Sequence, residues 1–222
     1  MKGKCLMKTK AVIFDLDGTL LNTIYDIGDS LNHILTKHGL PERTYEEYIT
    51  FVCNGSRKLV ERAAENASVS EIDVILEEYN AYYSENYSNK TSPYDGISEL
   101  LKKLAEKEIK LGVYSNKPDN IVKSLAEKHF PGVFTAVRGQ TDSVPVKPAP
   151  DGAWLVADEM EVKYSECVFV GDSAEDRKTA LNAGMVPINV SWGYRSGKFL
   201  RECGAEICVD SAEELFEAIM KI

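Results

Sequence analysis

The chain has no apolar run of the roughly 18 residues that a transmembrane helix needs, so no membrane span is expected. A secretory leader is not expected either. Lys2, Lys4, Lys8 and Lys10 make the start basic, but only Cys5-Leu6-Met7 is apolar there, too short for a signal peptide, and Met7 would serve as a start as well as Met1. No Cys-x-x-Cys pair occurs. The five cysteines (Cys5, Cys53, Cys167, Cys203, Cys208) are odd in number and read as reduced thiols, which points to the cytoplasm. The three histidines, His33, His38 and His129, have no metal-ligand spacing. Positive charge is in deficit: 26 Lys and Arg against 35 Asp and Glu leave a net charge of −9, which argues against a nucleic-acid partner. No Gly-x-Gly-x-x-Gly follows an apolar run, which argues against a dinucleotide. Gly193-Tyr194-Arg195-Ser196-Gly197-Lys198-Phe199 resembles a P-loop only superficially: it is one residue short between its glycines and has no Ser or Thr after Lys198.

What is present is a set of short apolar runs, each ending in polar residues able to do chemistry. Ala11-Val12-Ile13-Phe14 reads as a buried parallel strand, and Asp15-Leu16-Asp17-Gly18-Thr19 follows it directly. Leu111-Gly112-Val113-Tyr114 leads into Ser115-Asn116-Lys117-Pro118, with Pro118 marking a helix start. Lys147 sits between prolines that forbid regular structure and can fix its position. Cys167-Val168-Phe169-Val170 ends in Gly171-Asp172-Ser173-Ala174-Glu175-Asp176. Each segment alone has an ordinary reading, as a turn, a solvated lysine or helix-capping acids. Four in this order, each after a strand or loop, point to one site at the carboxyl edge of an open α/β sheet.

The four motifs, Asp15/Asp17, Ser115, Lys147 and Asp172/Asp176, resemble those of the haloacid dehalogenase superfamily, and the likeness spans nearly the whole chain. Within it the chain looks most like the phosphoglycolate phosphatase-like branch. Phe51–Ala63 is similar to that branch's cap segment, with Cys53 where a smaller residue is expected, and Val190–Tyr194 is similar to its late strand and loop. The resemblance implies a doubly wound parallel sheet (α/β, Rossmann-like) with an inserted all-helical cap: a core of residues 1–21 and 89–222 and a cap of 22–88.

It also implies chemistry. Asp15 would be the nucleophile that forms an aspartyl-phosphate, Asp17 the acid and base, and Lys147 the bridge between Asp15 and the phosphate. Mg²⁺ would be held by Asp15, the main-chain carbonyl of Asp17, and Asp172, with Asp176 holding a metal-bound water or orienting Lys147. Ser115 and Asn116 would bind phosphoryl oxygens, and Thr19 would join them in binding substrate. In the cap, the turn at Gly55 and the side chain of Arg57 could face a substrate carboxylate. The presence of Asp17 sets aside dehalogenases and phosphonate-cleaving relatives. The expected activity is Mg²⁺-dependent hydrolysis of a small phosphate monoester, with 2-phosphoglycolate first. A pyrophosphatase, a nucleotidase, or a sugar-phosphate phosphatase or phosphomutase on the same scaffold are the alternatives. A signalling receiver domain shares the acid cluster but would be about half this length and carry no insert. The expected molecule is a monomer or weak homodimer with no nucleic-acid or membrane partner.

Periodicity fills in the rest. Helices are expected from Asn22 to His38, from Thr44 to about Asn54, from Ser56 to about Asn66, and from a capping box at Ser70 and Asp73 through a tyrosine stripe (Tyr79, Tyr82, Tyr83, Tyr87) that reads as packing. Alternating strands and helices follow from Ile97 onward.

Overall fold

The computed structural model describes residues 9–222; Lys2, Lys4, Cys5 and Lys8 of the basic start lie outside the described residues. Strand β1 (Ala11–Phe14) has no solvent-exposed residue and lies at the middle of the sheet. It pairs in parallel with β4 (Lys110–Pro118) on one side and β6 (Cys167–Gly171) on the other. Beyond β4 lies β5 (Ala136–Gln140), and beyond β6 come β7 (Val186–Val190) and β8 (Cys208–Val209), all parallel. The order β5-β4-β1-β6-β7-β8 makes β1 the place where winding reverses, and ligands bind in the crevice outside the strand ends at such a reversal.

Both sheet faces are covered, which is why the central strands β1 and β6 are apolar. Val12, Phe14, Val113 and Val170 pack on one side with α5 (Ile97–Glu106), α6 (Asp119–His129) and α10 (Ala212–Met220). Ala11, Ile13 and Phe169 pack on the other with α7 (Asp151–Glu159) and α8 (Ala174–Ala183). The helical insert consists of α1 (Ile24–Lys37), α2 (Tyr45–Phe51), α3 (Ser56–Ala63) and α4 (Val69–Asn86). The chain enters and leaves it through two short antiparallel strands, β2 (Leu21–Asn22) and β3 (Ser92–Pro93). No helix among the described residues is long and apolar enough to cross a membrane.

Several boundaries differ from the sequence expectation. Asn22 does not cap α1: it is drawn into β2 by pairing with Ser92, and Thr23 takes the capping position. The capping box of α4 is Ser68 with Glu71, not Ser70 with Asp73. Glu71 reaches back to the Ser68 amide at 2.7 Å while its own amide donates to Ser68 Oγ at 3.4 Å. Strand β4 continues past Tyr114 through Ser115, Asn116 and Lys117, with a register shift against β5 over that stretch. A short helix, α9 (Gly197–Glu202), capped by Ser196, occupies the segment that only looks like a P-loop.

Candidate active site

The reversal at β1 brings the four sequence motifs to one place. Asp15 leaves the end of β1, Ser115 sits in the extended end of β4, and Asp172 follows β6. Ligand oxygens of Asp15, Asp172 and Asp176, all buried, lie within 4.8 Å of one another. Lys147 Nζ is set among them, 2.8 Å from Asp15 Oδ1 and 2.6 Å from Asp176 Oδ1. The loop carrying Lys147 is fastened by Asn116, whose Oδ1 accepts from the Lys147 amide at 2.8 Å. Asp176 is both a helix cap and a site residue: its Oδ2 accepts from the Ser173 amide at 3.0 Å, while Oδ1 holds Lys147. One acid thus closes the first turn of α8 and holds the lysine.

The electrostatics follow from three buried carboxylates sharing one ammonium. Asp15 is pushed up to about 7, chiefly by burial, with Lys147 opposing and Asp176 and Asp17 adding to the rise. Asp172 is pushed well above the carboxylate range by burial and by Asp176 and Asp15, against one amide bond from Tyr194. Burial alone would lower Lys147, but Asp15 and Asp176 outweigh it and hold its pKa well above the usual lysine range. The cluster is short of positive charge, and all its donors are oxygens, which suits a small hard divalent cation. A divalent cation fits these residues.

Gly18 explains how Asp172 comes so close. Its φ of +80° is a conformation glycine adopts freely, and a Cβ there would lie 2.4 Å from Asp172 Oδ2. Asp172 is further held by the Tyr194 amide, 2.6 Å from Oδ2, and by Thr19 Oγ1 at 3.5 Å. Thr19 is fully buried behind Asp172 and does not line the cavity.

The cavity, of ≈ 60 Å³, lies between sheet edge and insert. Asp15, Asp17, Ser115, Asn116, Lys147 and Asp176 line one side; Ile27, Val52, Leu59, Tyr79, Tyr83 and the turn at Gly55 line the other. Gly55 is at the cavity, as expected, with φ +83° at the N-terminus of α3. Arg57 is placed elsewhere. Its guanidinium is half exposed, pairs with Asp73 at 2.5 Å and approaches Glu61 at 4.0 Å, and does not line the cavity. The helix turns its side chain outward, toward the acids of α3 and α4.

Three features escaped the sequence reading. Lys117 Nζ lies 2.9 and 3.0 Å from the two oxygens of Asp17, with its side chain 4% exposed. Its spacing from Ser115 was the available signal, because residues two apart on a strand share a face. Thr23 Oγ1 donates to Asp17 at 2.6 Å, so the Asp17 carboxylate is held from two sides and stands apart from the three-carboxylate cluster. Arg195 donates to the carbonyls of Ile49 and Thr50 at the end of α2, and Asn116 Nδ2 donates to the Cys53 carbonyl at 3.3 Å; both tie the sheet side to the insert.

Comparison with known proteins gives the family and the fold. Residues 12–190 fit the sequence profile of the haloacid dehalogenase-like hydrolases. The chain belongs to that family. It is 32% identical to a phosphoglycolate phosphatase of Psychrobacter arcticus, over 97% of each chain. It is 29% identical to a phosphoglycolate phosphatase of Haemophilus influenzae, over 95% of this chain and 98% of that one. A crystal structure from Lactobacillus delbrueckii subsp. bulgaricus, provisionally assigned as a phosphoglycolate phosphatase, superposes with a TM-score of 0.92. It has 36% identity and covers 96% of this chain and 99% of that one. This member of the hydrolase family thus shares the whole fold, insert included, with these relatives.

Proposed function

We infer that the protein is a Mg²⁺-dependent phosphatase that hydrolyses a small phosphate monoester through an aspartyl-phosphate on Asp15, with 2-phosphoglycolate as its substrate. The observation that carries this reading is the convergence of Asp15, Asp172, Asp176 and Lys147 at the sheet's winding reversal. Charge neutralisation and in-line placement are most of what phosphoryl transfer asks of a protein.

Asp15, Asp172 and the main-chain carbonyl of Asp17 would hold the metal, and Asp176 would orient Lys147, as its 2.6 Å contact supports. The ion, when bound, supplies charge to the phosphoryl oxygens. Asp15 attacks phosphorus as the bond to the leaving oxygen breaks, and Asp17 gives that oxygen its proton. Water then attacks the aspartyl-phosphate, Asp17 takes back a proton, and phosphate leaves with Asp15 restored. Ser115 Oγ and Asn116 receive the phosphoryl oxygens, and Lys147 spans nucleophile and phosphate.

The names of the full-length relatives favour phosphoglycolate. The same reading puts the enzyme in the cytoplasm as a monomer or weak homodimer, without nucleic-acid or membrane partners. Phosphate release with Mg²⁺ over a panel of phosphoglycolate, pyrophosphate, nucleoside monophosphates and sugar phosphates tests it. The expected result is the highest kcat/KM on phosphoglycolate; a tenfold higher value on any other panel member would replace that substrate.

A further inference from the structure

One corner of the cavity is used by no phosphoryl contact. Lys117 is buried there, at 7% exposure, facing the Asp17 carboxylate that serves the leaving group. A buried ammonium is costly unless it is answered by negative charge, and among the described residues the two Asp17 oxygens alone answer this one. Across from it, on α4 of the cap, Tyr83 covers the ammonium with its ring, 4.9 Å from Nζ to the centroid. Tyr83 is 3% exposed and lines the same cavity, yet its hydroxyl has no hydrogen-bond partner among the described residues. An ammonium with three donors and the ring of a buried tyrosine therefore meet at the wall of the cavity, beside the acid that serves the leaving group.

We propose that Lys117 and Tyr83 form a subsite for an anionic group on the leaving part of the substrate. Lys117 is its specificity-determining cation, and Asp17 is the charge that holds this cation in place before substrate arrives. The proposal rests on the phosphatase reading above and adds to it a reason for substrate choice. In phosphoglycolate the carboxylate carbon is two bonds from the bridging oxygen. Asp17 must reach that oxygen to protonate it, and Lys117 lies within 3.0 Å of both Asp17 oxygens, so the carboxylate falls within reach of Nζ. Lys117 can keep one bond to Asp17 and turn its other hydrogens to the substrate. A leaving group without an anion leaves the ammonium with Asp17 alone and the Tyr83 hydroxyl unanswered, which makes the corner select for acidic esters. This subsite takes over the role that the sequence suggested for Arg57.

The test uses two esters that differ only in that group, 2-phosphoglycolate and 2-hydroxyethyl phosphate, with wild type, Lys117→Met, Lys117→Arg and Tyr83→Phe. In wild type kcat/KM should favour the acid by about 30-fold or more. Lys117→Met should cut that ratio at least tenfold, Lys117→Arg should keep most of it, and Tyr83→Phe should lower it by about threefold. Calorimetry with the non-hydrolysable 3-phosphonopropionate and 3-hydroxypropylphosphonate, in Mg²⁺, reads the same preference without turnover. Preferential binding of the carboxylate that Lys117→Met abolishes, in an enzyme releasing no phosphate from either ester, would remove the phosphatase reading and leave the subsite standing. Equal losses on both esters in Lys117→Met, with equal affinity of wild type for the two phosphonates, would overturn the subsite and leave the phosphatase.

Discussion

The two sides of the cavity are built by opposite means. On the sheet side nearly every polar atom is engaged: Asp176 binds Lys147 and Ser173, Asn116 binds the Lys147 amide, and Asp17 binds Thr23 and Lys117. On the cap side the lining is mainly apolar, with Ile27, Val52, Leu59 and Tyr79, and a buried hydroxyl there, on Tyr83, is unpartnered among the described residues. A site that stabilises charge needs its dipoles fixed in advance, whereas a lid needs only to exclude water and to tolerate opening. The sheet side should therefore fail abruptly when altered and the cap side by degrees.

The largest expected effect is Asp15→Asn. An amide cannot act as the nucleophile, so turnover should drop by at least about 10³-fold with the fold intact. Phosphate release by freshly purified protein, with circular dichroism as the control, measures it; activity within tenfold of wild type would remove Asp15 from the chemistry. Chelation comes next. Excess EDTA should abolish activity and Mg²⁺ restore it, with Ca²⁺ a poor substitute because its looser coordination misplaces phosphorus. Full activity in EDTA would break the argument from the carboxylate cluster.

Gly18→Ala probes the sheet side without touching an acid. The added Cβ would sit 2.4 Å from Asp172 Oδ2, so the Mg²⁺ concentration for half-maximal activity should rise about 10- to 100-fold. Arg195→Ala removes a charged donor that spans to the cap at Ile49 and Thr50. It should lower kcat/KM by about tenfold, as closure weakens, with the Mg²⁺ requirement unchanged. The smallest effect is expected from Arg57→Ala. Its side chain points to Asp73 and Glu61 in solvent, and kcat/KM should change by less than about twofold. A large loss there, specific to phosphoglycolate, would return the carboxylate contact to Arg57 and contradict its position.

The same division marks what could be read in advance. The places of Asp15, Ser115, Lys147 and Asp172 were legible because each ends an apolar run or stands beside prolines, and the start of α8 was legible from its capping acids. Lys117 was not, because its partner, Asp17, is 100 residues away and a lysine before a proline reads as an ordinary surface charge. The β2–β3 pairing was not, because two-residue strands carry no period. Ser70 with Asp73 fits a capping pattern as well as Ser68 with Glu71 in sequence. The structure begins α4 at Val69, which gives the box to Ser68 and Glu71. The tyrosine stripe reads as packing, which holds for Tyr79, 2% exposed, yet Tyr83 in the same stripe presents a hydroxyl without a partner.

The ribbon at the root of the insert has a consequence for how such chains diversify. Leu21 pairs with Pro93 and Asn22 with Ser92, so the polypeptide departs from the sheet and returns to it at neighbouring points. An excursion that starts and finishes at one doorway leaves the strand order the same whatever its length. The four helices are thus a replaceable module. Grafting another family member's helices between Asn22 and Ser92 should exchange the range of accepted leaving groups while the sheet keeps its capacity to bind and transfer phosphate.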